Sequence, residues 1–436
     1  MSSWRAPRLR SPISAKVSIP GSKSQTARAL YLAAIGKHPC VIEGVLRSRD
    51  TDLFAQALRT LGAQIDMLGD SRAQITPISS DSPSSERVID CGLAGTIMRF
   101  LPPLAALSPT PTRVDGDEQA YARPLAPLLD VLESLGATLS YHGEKGHLPF
   151  TISGPLKPSS SPITVDASAS SQFFSAMLLV APLIGGAIVR SNAPLISLPH
   201  IEMTLNMMHE AGLSWTQLGD REWRVDAGAP TASEIAIEPD LSNAGPFLCA
   251  GILSAGSVTI PNWPRTSTQP GALWPSLFDE MGIETSLETN EMGSSELTVR
   301  GGGPASFRGI ERDMSAMGEM VPTLAALLLF ASTPSTLTGI AHLRGHETDR
   351  LDAIAQSVNA LGGSIEELPD GLRITPASLH GAPLRSFADH RMATFAAIVG
   401  LVVDGVSIDD ISCTSKTLPG FESMWTRMCG ESDVNV

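Results

Sequence analysis

"LFAQALRTLGAQI", residues 53–65, decides how the rest of the chain is read. An amphipathic run leads into Gly62 and then into a short strand-like tail. Glycine just past an apolar-periodic run is the usual helix C′ signal, because glycine takes the left-handed conformation freely. One such unit occurs in any α/β protein. Here the pattern returns in "LAPLLDVLESLGATL" (125–139), "MTLNMMHEAGLSW" (203–215), "LWPSLFDEMGIET" (273–285), "LDAIAQSVNALGGSI" (351–365) and, more weakly, "MWTRMCG" (424–430). The glycines are Gly62, Gly136, Gly212, Gly282, Gly362 and Gly430, spaced by 74, 76, 70, 80 and 68 residues.

A second series interleaves with the first. "SKSQTARALYLAAIG", "LAGTIMRFLPPLAAL", "SSQFFSAMLLVAPLIG", "LSNAGPFLCAGILSAG", "GEMVPTLAALLLFAS" and "DHRMATFAAIVGLVV" start near residues 22, 93, 170, 241, 318 and 389. Each is apolar nearly all round behind a polar front, the mark of a buried helix. Half-exposed and buried helices alternating with strand-rich segments predict an α/β fold of six repeated units. In 436 residues these divide into two domains of three. The stretch "KPSSSPI" (157–163) reads as a loop, and "SIPGSK" (18–23) and "IEPDLSN" (237–243) as the domain joints.

Composition narrows the class. A hydrophobic content of 42% and a charged content of 17% are globular values. The net charge of −14 argues against nonspecific nucleic-acid binding. Five cysteines without a C-x-x-C spacing fit a reducing cytosol and give no zinc motif. Arg5, Arg8 and Arg10 have no apolar segment behind them, so no signal peptide is expected. "MATFAAIVGLVV" (392–403) falls short of the roughly 20 residues that cross a bilayer. A cytoplasmic protein with neither membrane nor nucleic-acid partners is expected.

Chemistry concentrates at the fronts of the buried helices. "GSKS" (21–24) looks like a phosphate loop, but G-x-x-x-x-G-K-[ST] would need glycine at Ser22 and Val17. A nucleotide kinase is therefore disfavoured. An alternative is that the buried helices run in parallel and bring their N-termini together, each carrying about +0.5 charge and free N–H groups. Two such faces across a cleft would trap anions. The first start offers Lys23, Ser24 and Arg28, with Ala27, Leu30, Tyr31 and Ala34 as an apolar stripe. The second offers Gly95, Thr96 and Arg99, and the third Ser170, Ser171 and Gln172. The fifth carries Glu319, and the sixth Asp389, His390 and Arg391, a costly triplet to bury without partners. Arg123, Glu347, Arg350 and Lys416 complete the inventory. Many cations with two carboxylates suggest two anionic substrates and proton transfer, without metal or nucleotide cofactor. His200, His342 and His346 lack any metal-ligand spacing.

Together "PGSKSQTARAL", "LAGTIMRF", "SASSQFFSAML", "HETDRL", "ADHRMA" and "TSKTLP" resemble the EPSP synthases (3-phosphoshikimate 1-carboxyvinyltransferases) of the enolpyruvyl transferase family, along nearly the whole chain. The resemblance implies a two-domain inverse α/β barrel (EPT/RTPC-like), with residues 1–20 joining 240–436 in one domain, 21–239 forming the other, and the active site in the interdomain cleft. It implies addition of the 5-hydroxyl of shikimate 3-phosphate to C2 of phosphoenolpyruvate (PEP), followed by loss of phosphate. It further implies that Lys23, Ser24, Arg28, Ser170, Ser171, Gln172, Ser197, Glu319 and His346 bind shikimate 3-phosphate. Lys23, Gly95, Arg123, Gln172, Arg350, Arg391 and Lys416 would bind PEP. Glu319 would take the hydroxyl proton, and Glu347, with Lys23, would handle the proton at PEP C3. No cofactor, a monomer, and inhibition by glyphosate beside Gly95 complete the implied picture.

Some positions depart from the commonest pattern of the family. Glu319 stands where Asp is frequent, Leu93 for Asn, His200 for Tyr, and His342 and His346 where Asn and Lys are usual. Three imidazoles near a site predict pH dependence between about 6 and 8. The sister enzyme acting on UDP-N-acetylglucosamine is the nearest rival, but it typically has Lys-Asn at Lys23-Ser24 and a Cys-bearing loop where residues 113–123 have none. A non-catalytic phosphosugar-binding relative is disfavoured because Lys23, Glu319 and Glu347 are all present.

Overall fold

Five of the six spaced glycines end helices. Gly62, Gly136, Gly212, Gly282 and Gly362 follow the helices Arg49–Thr60, Ala126–Ser134, Leu198–Glu210, Trp274–Met281 and Arg350–Ala360, each with φ between 75° and 109°. Gly430 departs from this expectation: it is the last residue of the helix Phe421–Gly430. The structure is a computed structural model that describes residues 3–79, 86–289, 293–430 and 434–435.

The chain folds into two compact units, Gly21–Ile237 and a discontinuous one made of Met1–Pro20 with Glu238–Val436. In the first unit three four-stranded sheets repeat one topology. Arg87–Asp90 runs parallel to Thr112–Asp115, which pairs with the hairpin Phe150–Ser153/Thr138–Tyr141. Ile163–Val165, Ala187–Ser191, Glu222–Val225 and Trp215–Gly219 follow the same order. So do Glu234–Ala236, Cys40–Glu43, Arg72–Thr76 and Gln64–Met67, which bring the end of the unit back to its beginning.

Among the described residues the discontinuous unit also has three sheets. Glu311–Asp313, Ser335–Thr338, Gly371–Thr375 and Ser364–Leu368 repeat the topology. Beside Ser257–Pro261 the parallel position is filled by Ser14–Lys16, far upstream in the chain. The sixth module differs most from the sequence pattern. Among the described residues its parallel pair Pro383–Leu384/Ser407–Ile408 has no downstream hairpin, and Trp4–Arg5 supplies the antiparallel neighbour. Val434–Asn435 instead extends the sheet beside Ser14–Lys16.

The interleaved runs are buried helices, Lys23–Ala34, Gly95–Ala105, Ser171–Val180, Leu241–Leu253, Val321–Leu328 and His390–Val402. Lys23–Ala34 is more deeply buried than a single stripe implies: every residue from Gln25 to Ala34 is buried. Each unit has its own apolar core. Polar fronts persist because helix N-termini need acceptors. Ser22, Ser170, Asp240 and Asp389 cap their helices, accepting from the backbone N–H of Gln25, Gln172, Asn243 and Arg391. Among the described residues Gly95–Ala105 and Leu198–Glu210 have no side-chain cap, and Ser197, ahead of the latter, sits in the left-handed region at φ 49°. Glu319 lies in a short 3₁₀ turn, Gly318–Met320, which precedes the helix Val321–Leu328 rather than opening it.

Candidate active site

In the unit Gly21–Ile237 the starts of two buried helices meet at Gly95. A Cβ built there would stand 2.9 Å from Arg99 Nη1, 3.1 Å from Gln172 Oε1 and 3.2 Å from Arg123 Nη2. Arg123 Nη1 donates to the Leu93 carbonyl at 3.2 Å, and Arg99 Nη1 to the Gly95 carbonyl at 3.2 Å. The Arg99 guanidinium also lies over the Phe173 ring. Gln172 Oε1 and Arg123 Nε are buried with no hydrogen-bond partner among the described residues. Such groups cost free energy unless a ligand satisfies them. With no side-chain cap hydrogen bond from Ala94 at the start of Gly95–Ala105, backbone and guanidinium donors gather here in an arrangement chemically suited to an anion.

Lys23 Nζ reaches Asp50 Oδ2 at 3.1 Å, and Asp50 is almost completely buried. Arg28 is buried, 1% exposed. Its Nε donates to Thr204 Oγ1 at 2.8 Å, Nη1 to the Ser24 carbonyl and Nη2 to the His200 carbonyl, each at 3.0 Å. It also lies over Phe100. Arg28 therefore fastens its own helix to Leu198–Glu210, the helix behind Ser197. Ser170 is the cap of its helix, whereas Ser171 is buried behind it.

In the discontinuous unit one chain of polar contacts joins five of the predicted residues. Lys416 Nζ donates to Glu347 Oε1 at 3.0 Å, and Arg350 Nη2 to Glu347 Oε2 at 3.1 Å. Arg350 grips Asp389 through Nε at 2.7 Å and Nη2 at 3.2 Å. Asp389, fully buried, accepts the Arg391 backbone N–H at 2.8 Å. Arg391 Nη1 donates to the Ser242 carbonyl at 3.2 Å, and the Ser242 hydroxyl donates to Glu319 Oε1. Three helix starts, at Leu241, Gly318 and His390, thus converge. Burial opposes the charge of Arg350, but Asp389 and Glu347 outweigh it and hold the guanidinium protonated.

His346 Nδ1 lies 3.3 Å from Arg350 Nη1. His342 Nε2 is buried without a partner among the described residues, 2.6 Å from where a Cβ on Gly318 would stand. Burial, then the charge of Arg350, push the His342 pKa below its usual 6.5, against a hydrogen bond with the Gly339 backbone. His200 contributes its backbone carbonyl, to Arg28, in the other unit. Sequence reasoning did not select Asp50, Ser242 or Asp389 as site residues. Asp389 was visible in a costly triplet, and Ser242 follows the cap of a buried helix. Asp50 carries no such signal. Among the described residues no group of three or more His, Cys, Asp or Glu could hold a metal ion.

Solved structures show the fold. An EPSP synthase from Acinetobacter baumannii superposes with a TM-score of 0.81 at 22% identity, covering 98% of each chain. The enolpyruvyl transferase NikO from Streptomyces tendae does so with a TM-score of 0.75 at 19% identity, covering 98% of this chain and 97% of that one. The fold is the two-domain inverse α/β barrel of enolpyruvyl transferases.

The family follows from sequence. The family model of EPSP synthase (3-phosphoshikimate 1-carboxyvinyltransferase) matches residues 7–425. The 3-phosphoshikimate 1-carboxyvinyltransferases of Bifidobacterium longum and Kocuria rhizophila are each 45% identical, over 98% of this chain and 98% and 96% of theirs. The chain belongs to the EPSP synthase family and is a transferase. No helix among the described residues is long and apolar enough to cross a membrane.

Proposed function

We propose that this chain transfers the enolpyruvyl group of PEP to the 5-hydroxyl of shikimate 3-phosphate. The observation that carries the reading is the contact chain from Lys416 through Glu347, Arg350, Asp389 and Arg391 to Ser242 and Glu319. It holds two carboxylates in place among fixed cations, as proton transfer beside an anionic substrate requires.

In this reading Glu319 takes the proton of the 5-hydroxyl as its oxygen attacks PEP C2, while C3 gains a proton under the control of Glu347 and Lys23. The adduct then loses a proton from C3 and expels inorganic phosphate. Arg123, Gln172, Arg350, Arg391 and Lys416 hold PEP, with Gly95 leaving room for it. Lys23, Ser24, Arg28, Ser170, Ser171, Gln172, Ser197, Glu319 and His346 hold shikimate 3-phosphate, and Lys23 also reaches PEP. Arg28 acts there by fixing Ser24 and the helix after Ser197, which its three hydrogen bonds support. Glyphosate competes for the Gly95 subsite. The protein works as a monomer in the cytoplasm, the latter supported by five free cysteines.

The test is phosphate release from PEP with each acceptor separately. Release with shikimate 3-phosphate and none with UDP-N-acetylglucosamine is expected. The reverse preference overturns the reading.

A further inference from the structure

We infer that Arg49 and Asp117 form a positioning clamp for the enolpyruvyl-donor subsite, holding the segment that carries Arg123 against the turn that leads to Gly95. The inference rests on the reading of Gly95 and Arg123 as the PEP subsite. Arg49 is the first residue of the helix Arg49–Thr60, next to Asp50, the partner of Lys23. Its Nη1 and Nη2 donate to the two carboxylate oxygens of Asp117 at 2.6 and 2.7 Å, a bidentate fork. The Asp117 backbone N–H donates to the Gly92 carbonyl at 2.9 Å.

Two close approaches show that this junction is built. A Cβ on Gly116 would stand 2.6 Å from the Gly92 carbonyl oxygen, and one on Gly92 would stand 3.3 Å from Arg49 Nη2. From Asp117 the chain runs through the 3₁₀ turn Glu118–Ala122, tied by Ala120 N–H to the Asp117 carbonyl and Arg123 N–H to the Ala120 carbonyl. Arg123 then returns to the Leu93 carbonyl. Three segments meet at one ion pair: the helix start beside Lys23's partner, the turn before Gly95, and the segment ending in Arg123. The pair acts through Arg123, by way of the 3₁₀ turn that links Asp117 to it.

An ordinary exposed ion pair contributes little, and the Arg49 side chain is 57% exposed. The fork geometry and the glycine contacts make this pair a determinant of where Arg123 sits. A misplaced binding cation weakens binding of its ligand more than it alters folding.

The test is a double-mutant cycle on the full chain, Arg49→Ala, Asp117→Ala and both, with Arg49→Lys alongside. Each alanine variant should raise the KM for PEP about two- to fivefold, the upper part of the scale of one exposed pair. The KM for shikimate 3-phosphate and the melting temperature should hardly move. The double variant should be no worse than the worse single one, and Arg49→Lys should fall between wild type and Arg49→Ala. Additive effects, or parallel losses in both KM values and in melting temperature, overturn the clamp. Amide exchange over residues 116–123 reads it without substrate: faster exchange in each variant supports it, and unchanged exchange overturns it. Wild-type enzyme that releases no phosphate from PEP with shikimate 3-phosphate would sink the functional reading alone, leaving the exchange result to decide the clamp.

Discussion

At Gly95 a missing methyl group decides what fits. Three polar side-chain tips lie 2.9–3.2 Å from the point a Cβ would occupy. Gly95→Ala must push Arg99, Gln172 and Arg123 apart or shrink the subsite. We expect a higher KM for PEP and weaker inhibition by glyphosate; equal inhibition of both proteins would refute the steric account. His342 makes a second prediction at this scale. Its pKa is lowered from 6.5 by burial and by Arg350, so the folded protein keeps it neutral while the unfolded chain takes up the proton first. Its contribution to stability is therefore constant above about pH 6.5 and falls as the pH drops through that value. In His342→Asn the decline of urea midpoint from pH 7 to 5 should be shallower than in wild type; an unchanged slope counts against it. The pH dependence expected between 6 and 8 accordingly moves to the acid side for this residue.

At the scale of elements, Asp389 shows how one residue serves helix and site together. It caps His390–Val402 and binds Arg350 twice while fully buried. Asp389→Ala leaves a buried guanidinium short of its closest partner, at a cost of about 3–5 kcal/mol. Urea unfolding checks this, and a loss under about 1 kcal/mol contradicts it. The buried helices were legible in sequence because their apolar faces are complete and their polar fronts abrupt. Their partners were not. Lys23 finds Asp50, Arg350 finds Asp389 and Glu319 finds Ser242 across 27, 39 and 77 residues, and no local pattern encodes such pairs. Arg28 shows the same limit: helical spacing places it beside Ser24, whose carbonyl it meets, but its bonds to Thr204 and His200 span 176 and 172 residues and have no local signature.

For the whole molecule, the six-fold repetition was readable from glycine spacing, and the family resemblance placed residues 1–20 with 240–436, but which strands those residues pair with was not readable. The sixth module takes its antiparallel strand from Trp4–Arg5, and the sheet around Ser257–Pro261 takes Ser14–Lys16. Ile13, Val17 and Ile19 are buried in the core of that unit. Deleting residues up to Lys16 removes Ile13 and both strands, which should cost roughly 2 kcal/mol from Ile13 alone. Limited proteolysis should then open the discontinuous unit first, leaving Gly21–Ile237 protected. Simultaneous digestion of both would argue against separate cores. The most direct test of the central claim is phosphate release from PEP with shikimate 3-phosphate by Glu319→Gln and Glu347→Gln. Each amide keeps the shape but loses the proton-transfer function, and we predict a fall in kcat of about 10²–10⁴-fold in each. Turnover within a few-fold of wild type in either variant would contradict the role given to that carboxylate.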